Sequence, residues 1–152
     1  MSSAIAQINY IALKLLLDGH SKGSTPLQAL GYYIPFITSF INNMRKIERE
    51  MIQAIIDGKD FSKANTRVEF DGDVRCYVYL HGHKIAQYNR GGSLLINHQG
   101  WETVTTKSRL NALITFVMGG LYGIFQKDFN WYYRIPDGDA MPILHEPDWF
   151  LC

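Results

Sequence analysis

The stretch Trp101-Glu102-Thr103-Val104-Thr105-Thr106-Lys107-Ser108-Arg109 gathers hydroxyls, an ammonium and a guanidinium just ahead of an apolar run. Thr105 or Thr106 suits a helix N-cap, because a threonine oxygen accepts from one of the amides that the first turn leaves unpaired. The helix then starts near Lys107. That places Lys107 and Arg109 beside free N–H groups at the positive end of the helix dipole, which prefers negative charge. Hydroxyls, amides and two cations converging there make an anion site suited to a phosphate or pyrophosphate, with Trp101 at its edge. The competing reading is that the threonines merely cap and the cations are solvated.

A second group lies on a strand. Alternation over Val74–Leu80 puts Val74, Cys76, Val78 and Leu80 on one face and Arg75, Tyr77, Tyr79 and His81 on the other. Aromatic surfaces of this kind stack a nucleobase for about 1–3 kcal/mol per base. Tyr79 and His81 with the helix start therefore suggest nucleotide binding without chemistry. Other constellations fall short of a reaction. His81, His83 and His98 lack the ligand count of a zinc site. Gly91-Gly92 is followed by a strand, not by the helix that a phosphate loop requires. Cys76 belongs to the apolar face, so a Cys76–His81 nucleophile pair is unsupported. Glu102 is a lone carboxylate and reads as a hydrogen-bond acceptor. No catalytic residue, metal or cofactor is expected.

The elements that must carry these residues form an α+β chain: long N-terminal helices packed with an antiparallel β-meander, and a further helix after the sheet. A single domain is expected over 1–152, with a helical region 1–60, a meander 65–98, a helix 105–126 and an irregular tail 127–152. Ile5, Ile8, Ala12, Leu15 and Leu16 mark a first short helix. Thr25-Pro26-Leu27-Gln28 has the form of a capping box for a second, which Pro35 kinks or restarts. Phe36, Phe40, Met44, Ile47, Met51 and Ile55 then draw a long amphipathic stripe that ends near Gly58. Its length points to pairing between subunits, although for its first half the simpler reading, that it packs on the sheet, is the preferred one. Turns at Asp71–Asp73, His81–His83 and Arg90–Gly92 separate strands too closely connected to be parallel. The last helix runs from Lys107 to about Phe125, carries Leu110, Leu113, Ile114, Val117 and Leu121, and uses its glycines for close packing. In the tail, Asn130–Arg134 reads as a strand, and Trp149 and Phe150 tuck into a surface or a neighbouring subunit.

The 152 residues suffice to bury a core. A net charge of +1 and a pI near 7.8 argue against coating polymeric nucleic acid by bulk charge. Two cysteines build no disulfide framework and point to a reducing cytoplasm. The apolar run Leu113–Phe125 is short of the ~18–20 residues that span a bilayer, and no secretory signal is evident, so no membrane role is expected.

The segments Tyr79-Leu80-His81, Ile85-Ala86 and Gly100-Trp101-Glu102-Thr103-Val104-Thr105-Thr106-Lys107-Ser108-Arg109-Leu110-Asn111-Ala112-Leu113 resemble a motif of small phage-encoded proteins. Over residues 26 to 115 the layout is similar to the first-described Thoeris anti-defence family. That resemblance implies a non-enzymatic sponge in the cytoplasm of the infected bacterium. Such a sponge holds a cyclic ADP-ribose isomer of the glycocyclic ADP-ribose type and deprives a TIR-based defence of its signal. It further implies a homodimer or homohexamer, and in some members separate sites for cyclic oligonucleotides. Arg109 matches the family's phosphate-contacting arginine. Tyr79 or His81 is the candidate base-stacking residue and Asn97 a hydrogen-bonding one. The alternatives are a protein-binding inhibitor of a host factor, using the Phe40–Ile55 stripe, and a nucleotide-signal hydrolase with Glu102 or a histidine as base.

Overall fold

The computed structural model describes residue 39 and residues 42–90, 92–143 and 149–151. The helices expected around Ile5–Leu16 and after Pro26, and the Phe36 and Phe40 end of the amphipathic stripe, lie outside the described residues. What is described is α+β. Helix α1 (Lys46–Asp57) precedes strands β1 (Phe61–Lys63), β2 (Thr66–Asp71), β3 (Arg75–Leu80), β4 (His83–Asn89) and β5 (Ser93–Ile96). Helix α2 (Val104–Met118) follows, then β6 (Gly123–Lys127), β7 (Asn130–Arg134), β8 (Ala140–Pro142) and β9 (Phe150–Leu151). The first sheet has the order β1-β2-β3-β4-β5-β9 and the second β6-β7-β8, every pair antiparallel.

Helix α1 is shorter than the stripe suggested. Arg45 is extended (φ −64°, ψ 150°), and Glu48 reaches back to accept from its N–H at 2.9 Å, which starts the helix afresh at Lys46. Met51, Ile52, Ile55 and Ile56 are buried in the chain's own core. They share that core with Val68, Cys76, Val78, Ala86 and Leu94 of the sheet and Leu110, Leu113 and Phe116 of α2. This half of the stripe is therefore spent inside one chain, and not on a second subunit.

The meander and its three turns fall where alternation placed them, and β1 is added at its edge. One irregularity matters for the site. Val78 pairs with Ala86 but Tyr79 pairs with Lys84, so Ile85 is an extra residue, a β-bulge. A one-residue slip exchanges the faces of everything beyond it. It puts His83 on the face of Leu80, toward α2, and Lys84 on the outer face, where its Nζ lies 4.5 Å from the Tyr77 ring.

The second helix differs most from expectation. Its cap is Thr103, not Thr105 or Thr106: Thr103 Oγ1 accepts from Thr106 N at 3.1 Å. It ends at Met118, because Gly119 takes φ 93°, and the apolar run continues as strand β6, not as helix to Phe125. Leu121 is accordingly an exposed turn residue, not a helix-face residue. Asn111 on α2 clamps the new strand, accepting from Ile124 N at 2.6 Å and donating to Ile124 O at 2.9 Å. The expected strand Asn130–Arg134 is β7, hairpinned to β6 and burying Trp131 and Tyr133. The tail is thus less irregular than expected, and its end returns to the first sheet, where β9 pairs with β5 and the Trp149 ring approaches Lys84 Nζ at 5.6 Å.

Candidate functional site

Between the β3–β4 hairpin and the start of α2 lies a cleft of about 440 Å³. Its sheet wall is Leu80, His81, His83 and Ile85, and its helix wall is Trp101, Thr103, Thr105 and Thr106. The β3–β4 connection has only two residues, His81 and Gly82, both left-handed (φ 51° and 82°), the pattern of a type I′ turn that matches the twist of its strands. That turn puts His81 on the rim, while the bulge brings His83 inward.

The opposite wall is delivered by an elbow after β5. Asn97 accepts from Gln99 N at 2.7 Å and His98 Nδ1 from Gly100 N at 3.1 Å, both side chains being buried. The folded link then presents Trp101, 55% exposed, with its ring 5.6 Å from that of His83. A planar ligand has an indole and an imidazole to lie against. Next comes the start of α2. Thr103 satisfies the Thr106 amide, and helical geometry leaves the Val104 and Thr105 amides without an intrahelical partner. The Thr103 and Thr106 hydroxyls sit 2.9 Å apart. Amides, hydroxyls and a helix dipole are suited to an anionic group, and the aromatic pair to a flat one.

Four of the eight residues singled out from sequence, His81, Trp101, Thr105 and Thr106, line this cleft; His83 and Thr103 join them. The bulge that turns His83 inward leaves no mark in the sequence, whereas Thr103, a third threonine of the same run, could have been weighed as the cap. Lys107 and Arg109 are not among the lining residues. With the cap at Thr103, Lys107 lies in the second turn, and its amide donates to Thr103 O at 3.0 Å. Arg109 points into the protein. Its side chain is 96% buried, Nη1 is 2.7 Å from Glu48 Oε1, and Nε donates to Thr66 Oγ1 at 3.1 Å. Ser108 donates to the same Glu48 oxygen. Burial pushes the Arg109 pKa below its usual range while Glu48 pushes back. Its charge is already matched, so a phosphate contact from Arg109 requires that pair to open.

The remaining two do not meet the helix start. Tyr79 is on the outer face of the sheet, under the Arg67 guanidinium at 4.4 Å and away from α2. It lines, with Arg67, Asn65 and His81, a shallower cleft of about 390 Å³. Asn97 is 94% buried and uses its carbonyl oxygen to shape the elbow. Cys76 is fully buried, and burial pushes its thiol up to about 12, the opposite of an activated nucleophile. Among the described residues no group of three or more His, Cys, Asp and Glu side chains is placed to hold a metal, and no helix is long and apolar enough to cross a membrane.

These walls belong to a phage protein. Residues 44–150, which include α2, the whole second sheet and all of α1, match the model of the Kyanoviridae Gp96 protein, and the chain belongs to that family. No curated protein and no solved structure matches it.

Proposed function

We propose that the protein captures a small phosphate-bearing nucleotide signal of the cyclic ADP-ribose type, holds it without turnover, and thereby blunts a TIR-based Thoeris defence in the host cytoplasm. The observation that carries this reading is the cleft at the start of α2. It joins the Trp101 and His83 rings to the Thr103 and Thr106 hydroxyls and to the Val104 and Thr105 amides. Its volume falls in the range of about 300–1,000 Å³ usual for small-ligand pockets. Membership of a phage family is consistent with an anti-defence role. Cyclic oligonucleotides are a second ligand class to try.

The test is a calorimetric titration of the purified protein with glycocyclic ADP-ribose, followed by heating the complex and weighing the released compound by mass spectrometry. Stoichiometric binding with intact ligand returned is expected. Turnover under excess ligand would replace the sponge by a hydrolase, and absence of any heat would remove the reading.

A second reading, capping of a host protein, is favoured by Phe129. This aromatic is 90% exposed at the β6–β7 turn and left-handed at φ 63°, an unusual conformation for a bulky residue. Capture of one host protein that is lost in Phe129→Ser would support it.

A further inference from the structure

The cleft's rim is tied to the buried ion pair by a chain of hydrogen bonds. Arg109 can only donate. Its Nε–H goes to Thr66 Oγ1 at 3.1 Å, and the Thr66 hydroxyl donates onward to Asn65 Oδ1, also at 3.1 Å. With its oxygen engaged by Thr66, Asn65 turns its amide nitrogen toward His81, and Nδ2 lies 3.1 Å from His81 Nε2. The backbone supports this contact, since His81 N donates to Asn65 O at 2.8 Å where the β2–β3 ladder ends. A nitrogen that faces an NH₂ group must accept. A neutral His81 ring then carries its proton on Nδ1.

We propose that Asn65 is a positioning residue that fixes His81 as the Nδ1–H tautomer, so that the rim of the cleft offers a donor to a phosphate or carbonyl oxygen of the ligand. This rests on the binding reading above for its consequence, but not for the tautomer itself. An unconstrained neutral histidine side chain favours the Nε2–H form, so the two cases are distinguishable in the ligand-free protein. The polarity is set by the Thr66 hydroxyl on Asn65 Oδ1, with Arg109 three hydrogen bonds from the ring, and neither Asn65 nor Thr66 need touch the ligand.

The experiment is ¹⁵N NMR of the His81 ring in the full-length protein at pH 8, with the His81→Gln variant giving the assignment. The wild type should show a protonated Nδ1 and a bare Nε2. Asn65→Asp, at the half-buried end of the β1–β2 turn, replaces the donor by a carboxylate that can only accept, and should move the proton to Nε2. Thr66→Val should free Asn65 to flip, whereas Thr66→Ser should keep the wild-type pattern. In a parallel titration with glycocyclic ADP-ribose, Asn65→Asp should bind roughly tenfold more weakly, through loss of a hydrogen bond to a charged group. A wild-type ring protonated on Nε2, or a tautomer unmoved by Asn65→Asp, overturns the proposal. A wild type that shows the Nδ1–H form yet binds no ligand leaves the tautomer standing and removes the ligand reading instead.

Discussion

Removing Arg109 tests the buried pair most severely. In Arg109→Ala the Glu48 carboxylate, 4% exposed, keeps, among the described residues, the Ser108 hydroxyl and the Arg45 N–H. Breaking a buried pair by deleting one partner costs about 3–5 kcal/mol, because the other charge is left in a poorly solvating interior. Domains of this size lose about 2–4 °C of melting temperature per kcal/mol, so the midpoint should fall by roughly 6–20 °C. Replacing both partners by apolar residues, as in Glu48→Leu with Arg109→Met, should recover much of that loss, since a well-packed apolar pair is often neutral relative to the ion pair. Breaking the Lys63–Glu50 pair, which is open to solvent, should hardly move the midpoint. Urea unfolding monitored by circular dichroism gives these values, and the Glu48→Leu and Arg109→Met single variants complete the cycle that yields the coupling. A loss below about 1 kcal/mol in Arg109→Ala, the range of surface pairs, would refute the claim that this arginine is committed to the fold. Binding in that variant has to be measured well below its own midpoint, because a fold defect and a lost ligand contact otherwise look alike.

Three more outcomes follow from named contacts. Thr103→Ala should lose about 1 kcal/mol in urea unfolding by orphaning the Thr106 amide, and Thr103→Ser should restore it. Asn111→Leu should loosen β6 from α2, seen as faster amide exchange at Ile124, whose N–H and C=O it now holds. With Cys152 replaced by serine, Cys76 should stay unreactive to thiol reagents at pH 8 until the chain unfolds. Its pH effect has a definite sign. The unfolded thiol ionises near 9.0 and the folded one only at about 12, so above pH 9 the native state binds more protons and this contribution to stability declines as pH rises toward 12. Cys76→Val should lack that part of the alkaline slope.

The antiparallel meander was legible because its apolar positions alternate between turn residues, and the inward face of Cys76 and Val78 followed directly. Strand Asn130–Arg134 was legible for the same reason. Helix ends were not. Three threonines within four positions are near-equivalent caps, and the geometry at Thr103 decides among them only once the elbow from His98 is built. The run after Gly119 is apolar enough for helix or strand, and what selects strand is pairing with Trp131–Arg134, a non-local contact. Arg109 and Glu48 are 61 positions apart, so no spacing rule could reveal that the guanidinium is already partnered. The same holds for the bulge at Ile85, which sends Tyr79 and His83 to opposite faces and replaces the expected tyrosine wall by Trp101 with His83.

The most direct test of the central claim is a paired titration of the wild type and Trp101→Ala with glycocyclic ADP-ribose, melting temperatures measured alongside. Trp101 is half exposed, so its removal should leave the fold's stability nearly unchanged while weakening binding at least tenfold through the lost stacking surface. Equal affinity in the two proteins, or no binding by either, would contradict a ligand site between the β3–β4 turn and the start of α2.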